Sequence, residues 1–141
     1  MSNLEKHPID VTNIPDEIKA LPQWVVWQWA TRDGKLTKIP INPTTKRRAA
    51  VNDSDTWASF EDAICLYHRW SQPGGIGFVF TSDDPYCGID IDDCRDPNNG
   101  QITWAAQQIV NRIGSYAEIS PSGTGIKIIA KSELQIGRAH V

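Results

Sequence analysis

The segment "QWVVWQWATRDGKLTKIPIN" restricts the fold of this chain more than any other stretch of its sequence. It begins with a run rich in tryptophan and valine, residue types that favour β-strands. Asp33 and Gly34 follow, and an Asp-Gly pair is typical of two-residue hairpin turns, because both central residues of such turns need a positive φ. Pro40 in the return segment lacks an amide hydrogen and favours an edge position. The sequence therefore predicts an antiparallel hairpin whose second strand lies at a sheet edge.

Helices and strands alternate along the rest of the chain. "SFEDAICLYHRW" has apolar residues at helical spacing after Ser59, a suitable N-cap, and "TWAAQQIVNRI" predicts another helix that ends at Gly114. The segments "IGFVFT" and "CGIDIDD" flank the turn "SDDPY" and are expected to form a second antiparallel pair. Two further short strands, "SYAEIS" and "GIKIIAK", surround the loop "PSGTG". This order predicts an α+β fold, with α/β as the alternative, in which helices pack on a mixed, mostly antiparallel sheet.

The composition restricts the class of protein but not its chemistry. The 141 residues are 40% hydrophobic and 22% charged, as in an ordinary soluble globular protein. The formal net charge of −3 disfavours a general nucleic-acid binder and leaves only a local basic patch for such a role. The three cysteines lack a CxxC pair, which argues against a disulfide framework and a zinc site. Because no apolar run reaches about 20 residues and no signal peptide is recognisable, we expect a cytoplasmic protein without a membrane segment.

The segment "YCGIDIDDC" places two acids where an interior strand would be expected. Asp90 and Asp92 are two residues apart, so in a strand they lie on the same face, while Asp93 lies on the other face as an exposed acid. Neighbouring ionised carboxylates repel each other unless a cation lies between them. Their hard oxygen ligands suit Mg²⁺ or Mn²⁺. The alternative is a strand end that carries solvated acids.

The segment "SPSGTGIK" is a second candidate for binding chemistry. Its glycines and serines, which include Ser120, Ser122 and Gly123, could form a backbone nest whose amide hydrogens hold phosphate oxygens. Lys127 on the following strand would add a positive charge. The alternative is a glycine-rich hairpin turn without a ligand.

Basic residues form a third candidate, in the first half of the chain. Arg47 and Arg48 in "TKRRAA" could bind a nucleic-acid backbone or a triphosphate, although a charge run is more often a solvated surface. Lys38 lies inside a predicted strand, where lysine is uncommon, and is a further candidate for nucleic-acid binding.

The order of these segments resembles the primase–polymerases of phages and plasmids, which belong to the archaeo-eukaryotic primase superfamily. The resemblance extends over residues 14–131 and rests on "ALPQWVVW", "KIPINP", "DTWASFEDA", "GIGFVFTSDDPYCGIDIDDC" and "SYAEISPSGTGIKI". It implies a small N-terminal α/β unit, an RNA-recognition-motif-like unit and a cleft between them. It also implies template-directed nucleotidyl transfer from nucleoside triphosphates on a single-stranded or primed DNA template.

The resemblance also implies roles for individual residues. Asp90 and Asp92 match the family's catalytic metal ligands, which hold two divalent ions, Mg²⁺ or Mn²⁺. Lys127 stands where the family usually has a histidine; it can contact phosphate but cannot serve as a proton donor tuned near neutral pH. Three residues match the loop that touches the incoming nucleotide, namely Ser120, Ser122 and Gly123.

Both ends of the chain differ from its middle. Residues 1–12 are expected to be flexible, and residues 13–135 to form an incomplete primase–polymerase catalytic domain. "IGRAHV" at 136–141 can be back-translated as a string that matches an adapter used in short-read DNA sequencing, so we expect an artefact there, with a natural tail as the alternative. The family's third acidic ligand does not occur before the chain ends. We therefore expect an inactive fragment of a replication protein, with a possible helicase domain downstream.

Two other readings of the same residues stay open. A non-catalytic RNA-recognition-motif-like module could bind nucleotides or single strands without chemistry, and Lys127 in place of histidine keeps this alternative open. A glycosyltransferase with a DxD motif fits less well, because such enzymes usually need a larger nucleotide-binding sheet than this chain can form.

Overall fold

A computed structural model describes residues 8–72 and 74–131, which divide into two compact units. The first ends at Val79 and the second begins at Phe80. The predicted α+β fold is confirmed: the described residues form three α-helices and two three-stranded sheets, in which every strand pair is antiparallel. The strands thus lie in two small sheets rather than in one. Of the predicted terminal segments, residues 1–7 and 136–141 lie outside the described residues.

The sheet of the first unit has the strand order β2-β1-β3, with β1 at Trp24–Arg32, β2 at Lys35–Ile41 and β3 at Gly74–Phe78. The predicted hairpin is confirmed. Asp33 and Gly34 have φ values of 51° and 76°, the left-handed conformations that a tight turn between twisted strands requires. Its return strand, β2, lies at the sheet edge, as the proline predicted.

Helices α1 (Asp16–Lys19) and α2 (Phe60–Arg69) contribute the apolar partners of this sheet. Helix α2 begins as predicted, because the Ser59 side chain accepts a hydrogen bond from the amide of Asp62 at 3.1 Å. The buried Trp24 ring lies 4.9 Å from the Phe60 ring, measured between centroids, and its Nε1 donates to the carbonyl of Ile18 at 3.0 Å. The core of the first unit is therefore built around Trp24.

The glycines of β3 decide which strand it pairs with. β3 pairs with β1 and not with the strand that follows it, so the predicted pairing of "IGFVFT" with "CGIDIDD" is wrong. A Cβ added at Gly75 would lie 2.8 Å from the Trp27 ring, and Trp27 Nε1 donates to the carbonyl of Ile76 at 3.1 Å. The bare backbone of β3 thus lets a large indole cover it, a long-range fit that turn chemistry cannot indicate.

The second unit has the strand order β4-β6-β5, with β4 at Tyr86–Ile91, β5 at Tyr116–Ile119 and β6 at Ile126–Lys131. Helix α3, Trp104–Ile113, ends at Gly114, which has a φ of 63°. Alternate residues of the strands pack with the helix in one apolar cluster, whose members are Cys94, Ala106, Ile126 and Ile128 together with Ile89, Ile91, Ile102, Val110, Ile113 and Ala117. The part of the opposite face that carries Asp90, Lys127 and Glu118 is called the open face below, whereas Ile129, two residues along β6 from Lys127, is buried.

Among the described residues, no helix combines the length and the apolar character that crossing a membrane requires.

Candidate functional site

The open face of the second sheet carries a row of three charged residues, one on each strand. Lys127 on the central strand pairs in register with Asp90 on β4 and with Glu118 on β5. Directly opposed residues share a face, so this lysine has an acidic residue on each neighbouring strand. The Glu118 carboxylate accepts a hydrogen bond from the Tyr116 hydroxyl at 2.8 Å. The Lys127 Nζ is 3.9 Å from Oδ1 of Asp90. Because these two side chains are 39% and 65% exposed, the ion pair is weak and can be exchanged for other partners.

The DxD pair lies where β4 ends. Asp90 is inside the strand, Asp92 follows its last residue, and both are exposed. At Asp93 the backbone takes a φ of 52°, so the strand conformation stops there. Within residues 8–72 and 74–131, no group of three or more His, Cys, Asp or Glu side chains is placed to hold a metal ion.

The chemistry of this donor set fits a divalent ion only when other ligands complete the shell. Mg²⁺ commonly takes one or two carboxylates and fills its remaining positions with water and substrate phosphates. Asp90 and Asp92 supply the carboxylates, and the Lys127 ammonium beside Asp90 shows that a cation can lie there. The open face therefore suits a metal ion that arrives with a phosphate ligand better than one held by protein alone.

The loop between β5 and β6 contains the predicted nucleotide-binding residues. Its amides are used internally: the N–H of Gly123 donates to the carbonyl of Ser120 at 2.9 Å, and that of Gly125 donates to Ser120 Oγ at 3.0 Å. This is the pattern of a glycine-rich hairpin turn, the alternative to a backbone nest. The hydroxyls form a chain, with Ser122 Oγ 3.0 Å from Ser120 Oγ and 2.8 Å from Thr124 Oγ1. Phosphate contacts from this loop would therefore come from hydroxyls rather than from amides.

Hydrogen bonds attach this loop to the segment that follows the DxD pair. The amides of Cys94 and Arg95 both donate to the carbonyl of Thr124, at 2.9 and 3.0 Å. Arg95 Nη1 also donates to the carbonyl of Gly123 at 2.8 Å, although these residues are 28 positions apart in the sequence. The two motifs are thereby held side by side. Arg95, Thr124 and Glu118 are residues that the sequence analysis did not select.

Phe80 supports the lysine of the charged row. A Cβ added at Gly88 would lie 2.8 Å from the Phe80 ring, so the ring packs directly over the glycine backbone. The Lys127 Nζ lies 6.0 Å from the centroid of that ring, within the range of a cation–π contact. The glycine in β4 thus makes room for an aromatic partner of Lys127.

The predicted nucleic-acid-binding residues lie in the first unit. Lys38 is on β2, opposite Trp29, and its Nζ is 5.1 Å from the centroid of the Trp27 ring. Arg47 and Arg48 are exposed in the loop after β2, where the carbonyl of Arg47 accepts from the amide of Asn42 at 2.7 Å. Trp27 is buried against β3, so Trp29, which is half-buried, is the ring of this pair that a base could reach, while the lysine could meet a phosphate.

A curated phage protein is similar to this chain over most of its length. The chain is 38% identical over 120 residues to the DNA Primase-polymerase of Nitratiruptor phage NrS-1, a match that covers 83% of this chain. This chain is related to phage primase–polymerases. The resemblance seen in the motifs is thereby confirmed. The chain spans 16% of the length of that phage primase–polymerase, and no family model matches it.

Proposed function

We propose that this chain forms part of a phage-type DNA primase–polymerase, which transfers nucleotides from nucleoside triphosphates to a growing strand on a single-stranded or primed DNA template. The observation that supports this most is the attachment of the hydroxyl-rich loop to the DxD strand end through Arg95 and Cys94. Triphosphate-binding groups and metal-binding carboxylates are needed within a few ångströms of each other for this reaction. A helicase domain elsewhere in the full-length protein would be its natural partner.

Each residue has a distinct task in the proposed reaction. Asp90 and Asp92 would hold Mg²⁺ or Mn²⁺, which when bound activates the 3′-hydroxyl and neutralises the triphosphate. The hydroxyls of Ser120, Ser122 and Thr124 donate to phosphate oxygens and orient the triphosphate. Arg95 positions their loop through the carbonyl of Gly123.

Lys127 contributes a positively charged side chain to the same face. A lysine ammonium binds phosphate as a compact point charge. Lysine is not the proton donor tuned near neutral pH that histidine can be, so it does not replace a histidine as a general acid. We therefore assign Lys127 to binding and not to proton transfer.

The experiment is nucleotide incorporation on a primed DNA template by the full-length protein, with Mg²⁺ or Mn²⁺. Asp90→Asn removes a metal ligand with little change of shape and should lower the rate at least about 100-fold, because charge stabilisation by a metal is worth several kcal/mol. The matched control is Asp93→Asn, since asparagine accepts the left-handed backbone at this position. If both variants incorporate nucleotides as fast as the parent protein, the assignment of the DxD pair is wrong.

A non-catalytic module that binds nucleotides or single strands is the second candidate. It is favoured by the finding that the described residues offer no three-ligand metal group. Triphosphate binding that needs no metal ion and survives Asp90→Asn, in a full-length protein without incorporation activity, would select this candidate.

A further inference from the structure

Lys127 has acidic residues on both neighbouring strands of the open face. It is on the central strand of the sheet, so it has a carboxylate opposite it on each side, Asp90 on β4 and Glu118 on β5. Its Nζ forms an ion pair with Asp90 at 3.9 Å from Oδ1, whereas the Glu118 carboxylate accepts from the Tyr116 hydroxyl at 2.8 Å. Asp90 is also one of the two proposed metal ligands. The Asp90 carboxylate would thus serve both the Lys127 ammonium and the proposed metal ion.

An ammonium and a divalent ion compete for such a carboxylate. Two cations that contact the same carboxylate repel each other, even across solvent. Either the metal ion binds more weakly or the ammonium moves away. Movement is feasible here, because Lys127 has a flexible four-carbon stem and is 39% exposed.

A bound triphosphate would offer the Lys127 ammonium another partner. The Phe80 ring, which packs over Gly88 on the same strand as Asp90, lies 6.0 Å from Nζ, and the hydroxyl-rich loop of Ser120 and Ser122 leads directly into β6. A triphosphate bound by that loop would present oxygens that carry more negative charge than a single carboxylate. A lysine that leaves Asp90 would therefore gain a phosphate partner.

We propose that Lys127 is an internal counter-ion that exchanges partners: it neutralises Asp90 until a metal–triphosphate complex binds, and then contacts the phosphates while the metal ion takes its place. This inference rests on the proposed function, because it uses the same metal and nucleotide site. It makes Lys127 a residue that discriminates between a divalent ion alone and the same ion bound to a nucleotide. The free site disfavours a bare divalent ion and accepts the ion together with its nucleotide.

The test measures the affinity of the chain for Mn²⁺ and for a triphosphate. The proposal predicts that loss of the Lys127 charge changes these two affinities in opposite directions. In Lys127→Gln, binding of Mn²⁺ without nucleotide should become about fivefold tighter, since an ion pair of this exposure contributes up to roughly 1 kcal/mol. Binding of a deoxynucleoside triphosphate in the presence of EDTA should become about fivefold weaker for the same reason. Titration calorimetry gives both values, and the electron paramagnetic resonance signal of free Mn²⁺ gives the first independently.

Two further variants provide a control for the loss of charge and a second readout. Arg112→Gln removes the same charge from the exposed last turn of α3, a helix that covers the opposite face of the sheet, and should change neither affinity. Asp90→Asn frees the ammonium and should tighten metal-free triphosphate binding, which provides a second readout if Lys127→Gln does not fold. Circular dichroism establishes whether each variant is folded.

The outcomes separate this inference from the function on which it rests. If the parent chain binds Mn²⁺ and triphosphate but Lys127→Gln changes both affinities in the same direction, or neither, the exchange of partners is refuted and the proposed function stands. If the parent chain binds neither ligand, both proposals fail.

Discussion

Gly123 closes the hydroxyl-rich loop, and alanine at this position tests whether the loop shape matters for binding. Gly123 has a φ of 81°, in the left-handed region that disfavours residues with a Cβ. Gly34 in the β1–β2 turn has a φ of 76° and nothing within 4 Å of an added Cβ. Gly34→Ala is therefore a matched control, which carries the same backbone strain in a turn that binds no ligand in our proposal.

The cost of either substitution can be estimated from two opposing terms. A left-handed backbone costs an L-residue about 1–2 kcal/mol. Replacing glycine by alanine recovers about 0.4–1 kcal/mol, because alanine restricts the unfolded chain. Each variant should thus lose about 1 kcal/mol of unfolding free energy. An added Cβ at Gly123 would also lie 3.3 Å from Cβ of Pro97, a tight contact that a small shift of the loop relieves.

The assay compares stability with binding in both variants. Urea unfolding, followed by far-ultraviolet circular dichroism, should show similar losses of stability for Gly34→Ala and Gly123→Ala. Titration with a deoxynucleoside triphosphate and Mn²⁺ should show weaker binding for Gly123→Ala only, because the shifted loop moves its hydroxyls.

Two results would refute this reasoning. Equal triphosphate affinity in both variants would mean that the loop does not hold the phosphates. A loss of stability in Gly123→Ala several times larger than in Gly34→Ala would mean that the contact with Pro97, and not the backbone conformation, decides the cost.

Three further predictions concern other contacts. Arg95→Lys loses the planar group that bonds the loop carbonyl at 2.8 Å and should weaken triphosphate binding in a calorimetric titration while leaving the circular dichroism spectrum unchanged. Trp24→Phe removes the 3.0 Å hydrogen bond to the carbonyl of Ile18, which keeps the amide of Leu21 as a donor, and should lower the free energy of urea unfolding by about 0.5–1.5 kcal/mol. Lys38→Gln should reduce the salt dependence of single-strand binding by about one phosphate contact, whereas Lys35→Gln on the same strand should not, as measured by fluorescence anisotropy over a range of NaCl concentrations.

The parts of the fold that sequence could predict are those set by local chemistry. The Asp33-Gly34 turn needs two positive φ values, and few other residue pairs supply them, so the first hairpin followed directly. The partner of β3 could not be predicted in this way. Its pairing depends on glycines that fit under Trp27, a contact between distant segments. The turn after β3 is closed locally instead, by Thr81 donating to the Asp84 side chain.

The same distinction applies to the candidate site. The shared face of Asp90 and Asp92 follows from the two-residue period of a strand. Glu118 was missed because its nearness to Asp90 depends on β6 lying between β4 and β5, which no local pattern states. A signal for it was nevertheless present, because the alternation in "YAEI" places Glu118 on the face opposite Ala117 and therefore away from the helix. Arg95 was missed because its segment reads only as a turn.

Inward-facing and outward-facing residues alternate around Lys127 in β6, so this position can hold lysine instead of the family's usual histidine without a change of fold. Ile126 and Ile128 are buried against the helix, and Lys127 between them faces the open side. A register slip of one residue would move both isoleucines to the face that carries the charged row and bring the ammonium into the apolar cluster. Each buried isoleucine opposes that slip by about 1.5–3 kcal/mol. The position of Lys127 is thus fixed by its neighbours rather than by its own contacts, so its chemistry is free to change without a change of fold.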